Sequence, residues 1–192
     1  KLSSLSADAL VLGVEKTPDG PVVALPLEAK GLPADLQLQA EALRVSGAAD
    51  EVRPLPAPSG SAWPVIVLSG LGDGRETDSR AESLRRAAGA AARALTGREH
   101  AVFALPAQDV AEAAAVAEGA ALGAFTFTAQ KHATRKPSDS PLRRATIAAA
   151  GLPADELAPA LTRAENLGRA VALSRTLTDL SPDTVYPHSF AE

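Results

Sequence analysis

The chain has 192 residues and a formal net charge of -4, and 46% of its residues are apolar but only 3% aromatic. This length is enough for one domain with its own core, which alanine, leucine and valine must fill because aromatic side chains are scarce. The absence of cysteine excludes disulfide bonds and thiolate metal sites. The negative charge gives no general attraction for nucleic acid or an anionic membrane. No apolar run approaches the roughly 18 residues that a membrane span needs.

The first part of the chain predicts a β-hairpin, a short helix and a buried strand. Apolar runs on both sides of residues 17–20, Thr-Pro-Asp-Gly, indicate a hairpin over residues 7–25, because proline and glycine favour a turn there. A helix is predicted over residues 32–44, where leucines seven positions apart share one face. Three prolines are expected to break the chain next: Pro54, Pro56 and Pro58. The apolar run 65–68 then predicts a strand buried on both faces.

A helix that begins after Ser79 has the clearest signal in the chain. Ser79 and Glu82 match a capping box, in which each side chain bonds a free amide at the helix start. Apolar residues recur at helical spacing from Leu84 to Leu95, and Gly97 lies where a C-terminal cap belongs. The sequence therefore predicts one helix between these two signals.

The second half continues the alternation of strands and helices. Strands are predicted at residues 101–106 and 145–150. Between them lie a helix rich in small residues, 109–125, and a loop with five basic residues, 131–144. Strands that alternate with helices favour a layered α/β fold, and the antiparallel hairpin makes the predicted sheet mixed rather than purely parallel.

The longest predicted helix covers residues 155–178. Proline lacks a backbone donor, so Pro159 is expected to be tolerated only in the first turn of this helix. Beyond the helix, Pro182 and Pro187 indicate a linker, and a new element is expected to begin at His188.

The segment SGLGDG, from Ser69 to Gly74, is a candidate ligand loop because it follows a buried strand and precedes a helix. Backbone amides at such a turn can hold a phosphate. The segment lacks the third glycine of the dinucleotide fingerprint, since Arg75 occupies that position, and the helix begins several residues too late to direct its dipole at the turn. A plain strand-to-helix turn is the favoured interpretation. Ser69 also lies outside the G-x-S-x-G pattern of a nucleophile elbow.

The three histidines lie far apart in the sequence and indicate no shared site. His132 lies among basic residues that are candidates for a small anion patch, although a solvated loop is the favoured interpretation. These basic residues are Lys131, Arg135 and Lys136. His100 directly precedes a predicted strand and is expected at the surface or a sheet edge rather than at a ligand site.

Asp179 and Asp183, close to Ser181, are the remaining candidates, as a carboxylate pair for a metal. They lie four positions apart, but Pro182 breaks the helix that would align them. No H-E-x-x-H or D-x-D-x-D pattern occurs in the chain. The sequence therefore predicts no catalytic, cofactor-binding or metal-binding residue here, which is typical of one module of a larger protein.

Several segments together resemble the leucine aminopeptidase family of two-metal exopeptidases. They are DALVLGV at 8–14, VIVLSGLGDG at 65–74, ESLRRAAGAAARAL at 82–95, AEGAALGAFTF at 117–127 and the long segment at 164–192. Their order and spacing are similar to those of the family's N-terminal domain. One departure is the sequence DLSPD from Asp179 to Asp183, where the family usually has Asn-Thr-Pro-Pro-Asn.

The resemblance implies a three-layer α/β/α fold with a mixed central sheet, similar to macro domains. Residues 1–178 would form a non-catalytic N-terminal domain, of which 155–178 are a bridging helix. Residues 179–192 would be a linker and the start of a C-terminal catalytic domain. The start at Lys1 and the absence of methionine lead to the same expectation of a longer parent protein.

The resemblance also implies what the parent does. Its catalytic domain would use two divalent cations, zinc, manganese or magnesium, to remove N-terminal residues such as leucine from peptides. The parent would be a cytoplasmic hexamer, in which this domain contributes to assembly and to active-site access. The expected partners are therefore the chain's own catalytic domain and further copies of the protein, without a membrane.

Two alternatives remain for this domain. A macro-like fold suggests a nucleotide-binding module, in which the loop from Gly70 to Gly74 would accept a phosphate of a ligand such as ADP-ribose. The basic loop 131–144 suggests DNA binding, as in some relatives of the family. The net charge of -4 makes nucleic acid the less expected partner.

Overall fold

The computed structural model describes residues 2–25, 32–73, 79–134 and 136–186. Its strands are β1 (Ala9–Thr17), β2 (Gly20–Ala24), β3 (Val52–Pro56), β4 (Val65–Gly72), β5 (His100–Ala104) and β6 (Arg144–Ile147). Its α-helices are α1 (Leu36–Ala42), α2 (Arg80–Ala94), α3 (Val110–Gly123) and α4 (Ala154–Asp179). Short 3-10 turns lie at Leu2–Ser4, His132–Thr134 and Pro137–Asp139.

The strands form one mixed sheet in the order β3-β4-β1-β5-β6, with β2 paired to β1. The pairs β1–β4, β1–β5 and β5–β6 are parallel, whereas β1–β2 and β3–β4 are antiparallel. Two strands share one edge of the long strand β1: residues 9–12 of β1 pair with β5, and residues 13–17 pair with β2. The predicted hairpin and the mixed α/β fold are confirmed. The likeness to macro domains stays a prediction.

Strand β3 corrects the expectation that Pro54 and Pro56 break regular structure. Two hydrogen bonds show which residues of β3 face β4: Gly70 N–H donates to the Glu51 carbonyl, and Ala57 N–H donates to the Pro64 carbonyl. In the antiparallel register, the odd-numbered residues of β3 are therefore those whose main-chain groups bond β4. Both prolines are even-numbered, so their nitrogens face away from β4, where no donor is needed. Proline at every second position therefore suits this outermost strand and blocks its free edge.

Side chains of β1 alternate between two cores, as expected for a strand covered on both faces. Ala9 and Val11 belong to a cluster with α2 and α3, which also contains Phe103. Leu10 and Leu12 belong to the opposite cluster, which contains residues of α1 and the buried Trp63. Helices therefore cover both faces of the sheet, and α4 packs mainly on α3, outside these layers.

Glycines allow α2 and α3 to pack at very short distance. A Cβ atom added to Gly119 would lie 2.1 Å from the Arg85 carbonyl oxygen, and one added to Gly123 would lie 2.2 Å from the Gly89 carbonyl oxygen. Arg85 also joins the two helices, because its Nε donates to Glu118 at 3.0 Å. Burial alone would lower the pKa of Arg85, but its bonds to Glu118 and Glu82 outweigh burial and raise the pKa.

The predicted helix signals are confirmed with small shifts at the ends. The Ser79 side chain accepts the Glu82 N–H at 3.3 Å, as a capping residue should, while the Glu82 carboxylate pairs with Arg85 instead of reaching back. Gly97, with φ of 86°, lies two residues beyond the last cap position of α2. The expectation for Pro159 is wrong, because it is the sixth residue of α4 and lies beyond the first turn.

Candidate functional site

The fold itself points to a crevice at the carboxyl ends of β1 and β4. The chain leaves the end of β1 through the hairpin turn into β2, and it leaves the end of the neighbouring parallel strand β4 toward α2. A cavity of about 490 Å³ lies there, between the hairpin end of β1, the end of β4 and the start of α2.

Arg80 is the central charged group of this crevice. Its guanidinium Nη1 lies 3.4 Å from Glu15 and its Nε lies 3.5 Å from Glu112. Nη2 also donates to the Pro106 carbonyl at 3.0 Å. These contacts hold the start of α2 against β1 and against the start of α3. Arg80 is therefore occupied by protein groups, and its role in the described residues is structural.

The other polar groups of the crevice have mixed charge. Lys16 is exposed and has no partner among the described residues, while Asp73 adds an acidic group at the end of β4. The Thr17 hydroxyl donates to the Gly20 carbonyl at 2.7 Å, which closes the hairpin turn. Sequence patterns singled out the glycine segment that contains Asp73 but not Lys16 or Arg80, because the crevice combines residues from separate elements. The crevice has room for a small molecule, and its described lining residues include no side chain arranged as a catalytic group.

The glycine segment at the end of β4 is shaped by the neighbouring loop. Residues 69–72 belong to β4, so the predicted turn begins later than expected, and its last residue, Gly74, lies outside the described residues, as does Arg75. Gly70 N–H donates to the Glu51 carbonyl at 2.8 Å, and Gly72 N–H donates to the Gly47 carbonyl at 2.9 Å. These two amides are therefore occupied and cannot hold a phosphate.

Close packing explains why glycine stands at position 70. A Cβ atom there would lie 1.9 Å from the Ala48 carbonyl oxygen. The loop that passes over Gly70 is fixed by Glu51, whose Oε2 accepts the N–H and the hydroxyl of Ser46 at 2.8 and 2.7 Å. Burial alone would raise the pKa of Glu51, but the hydrogen bonds from Ser46 and the attraction of Arg53 outweigh burial and lower the pKa.

Ser69, which lies outside the nucleophile-elbow pattern, is buried and has a structural role. Its hydroxyl donates to the Ala87 carbonyl of α2 at 2.9 Å, with none of the side chain exposed to solvent. This hydrogen bond joins β4 to the middle of α2. Ser69 therefore satisfies a helix carbonyl and does not face the crevice as a nucleophile.

Ion pairs neutralise much of the basic loop. Lys131 Nζ lies 3.1 Å from Asp139, and Arg143 Nε lies 3.6 Å from Glu99. The Lys136 N–H and the Lys131 side chain lower the pKa of Asp139. Arg135 and the side chain of His132 lie outside the described part of the structure. Two of the described cations, Lys131 and Arg143, therefore form local ion pairs, which reduces the charge available for an anion-binding surface.

The remaining candidates are separate from one another. His100 is half-buried at the start of β5, and its Nε2 lies 2.9 Å from the Thr146 hydroxyl of the neighbouring strand β6. Asp179 ends α4 and Asp183 lies in the exposed turn that follows. Within residues 2–25, 32–73, 79–134 and 136–186, no group of three histidine, aspartate or glutamate side chains could hold a metal ion. No helix in these same ranges has the length and apolar character to cross a membrane.

Comparison with known sequences identifies one family. Residues 22–134 match the cytosol aminopeptidase family, N-terminal domain. A probable cytosol aminopeptidase of Micrococcus luteus is 46% identical over 100% of this chain and 38% of that protein. A probable cytosol aminopeptidase of Streptomyces avermitilis is 44% identical over 98% of this chain and 39% of that protein. The chain thus spans less than half the length of these curated relatives.

Solved structures share the fold at lower sequence identity. A mutant of tomato leucine aminopeptidase matches with a TM-score of 0.74 and 21% identity, over 100% of this chain and 39% of that chain. The bottromycin maturation enzyme BotP matches with a TM-score of 0.67 and 22% identity, over 97% of this chain and 36% of that chain. At these identities the likeness supports the fold alone.

Proposed function

Because the chain belongs to the cytosol aminopeptidase family and corresponds to its N-terminal domain, we propose that it is the non-catalytic front domain of an aminopeptidase. The most direct support is that the alignment with a close relative covers all of this chain but only a part of the relative. The relative from Micrococcus luteus is 46% identical across the whole chain, yet the chain spans only 38% of that protein. The rest of such a protein has room for a separate catalytic domain.

The proposed catalytic domain follows this chain and removes N-terminal residues, such as leucine, from peptides. Two divalent cations, zinc, manganese or magnesium, would polarise the scissile carbonyl and activate water there. The described residues of this chain do not fit a metal pair, because they contain no cluster of three ligand side chains. We propose that the chain itself contributes to assembly and to control of active-site access, within a cytoplasmic protein.

Helix α4 supports the assembly role. Its inner face packs on α3 through the buried residues Ala164 and Gly168. Its outer face exposes leucine side chains, whose contact with water is unfavourable. They are Leu167, Leu173 and Leu177, with 40%, 62% and 36% of their surface exposed. Exposed apolar residues on one helix face are typical of a surface that another domain or subunit covers. We place the bridge to the catalytic domain and a hexamer contact on this face.

The absence of catalysis is tested with leucine 4-nitroanilide. Turnover is measured for the 192-residue chain and for the full-length protein, each with manganese, zinc or magnesium. We expect turnover from the full-length protein only. Turnover that purifies with the chain and disappears on a substitution within it would contradict the non-catalytic role. A full-length protein without any peptidase activity would contradict the proposed activity of the parent.

The assembly role is tested separately with Leu173→Glu in the full-length protein. A charge at this exposed apolar position should reduce the hexamer to smaller species, which light scattering after size exclusion measures directly. Ser59→Glu is the control, since Ser59 is an exposed polar residue in the loop between β3 and β4, outside α4. If both variants keep the wild-type mass, α4 does not form the subunit interface and the assembly role proposed for it is wrong.

A further inference from the structure

A second cavity, of about 750 Å³, forms a groove between β6, α3 and α4. Small side chains line its helical walls, including Ala117 and Ala121 on α3 and Ala164 on α4. Helix α4 lies directly on α3, where a Cβ atom at Gly168 would be only 2.7 Å from the Ala121 Cβ, and no described strand pairs with the outer edge of β6, so the groove stays open between them. This groove is separate from the crevice beside Arg80.

The open side of β6 provides free main-chain groups along this groove. Within the described part of the chain, β6 pairs only with β5. Arg144 N–H donates to the Glu99 carbonyl and Ala148 N–H donates to the Phe103 carbonyl, each at 2.9 Å. Because a strand alternates its main-chain groups between its two edges, the N–H groups of residues 145 and 147 point away from β5.

These outward groups are available to another chain. Ala145 is exposed, and both its N–H and its carbonyl lie on the open edge. Ile147 contributes its N–H, since its carbonyl already accepts the Ala149 N–H at 3.1 Å. An unpaired strand edge of this kind is a template for one further strand.

The charge around the groove restricts what that strand can be. Three arginines line it against the single acidic residue Glu165. Arg143 pairs with Glu99 and Arg169 pairs with Glu165, at 3.6 and 3.7 Å. Arg144 is exposed and forms no ion pair within the described residues. A second copy of this chain would bring the same arginines together, which is unfavourable, whereas an acidic segment would complement them.

We propose that the groove binds an extended, acidic peptide segment, which adds to β6 as a further strand. Its carboxylates would lie on the Arg144 face of the sheet. Its apolar side chains would lie on the opposite face with Ala145 and Ile147, toward the alanines of α3, since Ile147 packs on the α2–α3 side of the core. This binding activity goes beyond the assembly role proposed above and does not depend on it.

The test uses fluorescein-labelled Val-Glu-Val-Glu-Val and fluorescence polarisation with the 192-residue chain. Two substitutions address the two proposed contacts. Ala145→Pro removes only the outward N–H and keeps the ladder to β5, and Arg144→Glu reverses the free charge. We expect each to raise Kd by about tenfold or more. Arg163→Glu is the matched control, because Arg163 is an exposed arginine of α4 that does not line the groove. Its Kd should stay within about twofold of wild type.

Circular dichroism of each variant verifies that it is folded. If Ala145→Pro disturbs the fold, an N-methylated version of the same peptide tests the main-chain contacts with the wild-type chain and should bind at least about tenfold more weakly. Equal binding of Val-Lys-Val-Lys-Val, equal Kd values for all variants, or no binding at millimolar peptide would overturn the proposal. A chain that sediments as a dimer which Ala145→Pro dissociates would assign the groove to a second copy and overturn it as well.

Discussion

Replacing Gly119 by alanine should destabilise the domain, although alanine is the better helix former. In a free helix this substitution stabilises by about 0.5–1 kcal/mol. In α3 the new Cβ atom would lie 2.1 Å from the Arg85 carbonyl oxygen, whereas ordinary contacts begin near 3.4 Å. The two helix backbones would therefore have to separate by about 1.3 Å, because a main-chain oxygen in a helix cannot rotate away as a side chain can.

The expected loss follows from these opposing effects. Forcing extra volume into a close-packed contact costs about 1–3 kcal/mol. Subtracting the gain in helix propensity from the middle of this range leaves a net destabilisation of roughly 1 kcal/mol. For a domain of this size, that loss lowers Tm by about 2–4 °C. The bonds between Arg85 and Glu118, which span the same two helices, would also lengthen.

Urea unfolding followed by circular dichroism measures this difference. Gly89→Ala is the control, because its added Cβ atom would lie 3.3 Å from its closest neighbour, the Gly119 carbonyl oxygen, so little movement is needed. We expect Gly89→Ala to change the free energy of unfolding much less than Gly119→Ala. A Gly119→Ala variant as stable as the wild type, or equal losses in both variants, would refute the close-packing argument.

Two further predictions concern polar contacts. The Gln37 side-chain oxygen accepts the Val23 N–H at 3.0 Å, and the Gln37 side-chain nitrogen donates to the Pro21 carbonyl at 2.8 Å. Gln37→Ala should therefore lower the free energy of unfolding by about 1–2 kcal/mol and speed hydrogen exchange of the Val23 amide. Gln39→Ala should leave that exchange rate unchanged. Because the pKa of Glu51 is lowered in the fold, its stabilisation is present at neutral pH and is lost as pH falls through the folded pKa. Glu51→Gln should therefore be less stable than wild type at pH 7, and this difference should shrink as the pH falls, whereas a difference in urea unfolding that is independent of pH would contradict this reasoning.

Local sequence signals were sufficient for several elements. The Ser79 cap and the regular apolar spacing behind it predicted α2 because helix starts depend on hydrogen bonds within four residues. The turn before Gly20 predicted the hairpin for the same reason. The alternation of strands with helices, together with the hairpin, predicted the mixed α/β fold, which the structure confirms. Similarity of whole segments predicted the family, which the family match confirms.

Contacts between distant residues were not predictable in this way. Strand β3 was missed because its prolines are disfavoured in most strands, and they are tolerated only because β3 lies at the edge of the sheet with their nitrogens facing outward. The amides of Gly70 and Gly72 were candidates for a ligand, and only the path of the loop near Gly47 shows that they are occupied. The crevice around Arg80 likewise combines residues from three elements.

By itself, the sequence determined most of the helical and extended segments, with the exception of β3, as well as the alanine-rich character of the core and the family to which the chain is similar. Those properties depend on spacing and on neighbours along the chain. The tertiary structure alone decided how close the helices lie, which backbone amides are free, and that β6 and α4 leave a groove with Arg144 at its edge. These depend on atoms far apart in sequence, whose positions are set only when the layers pack together.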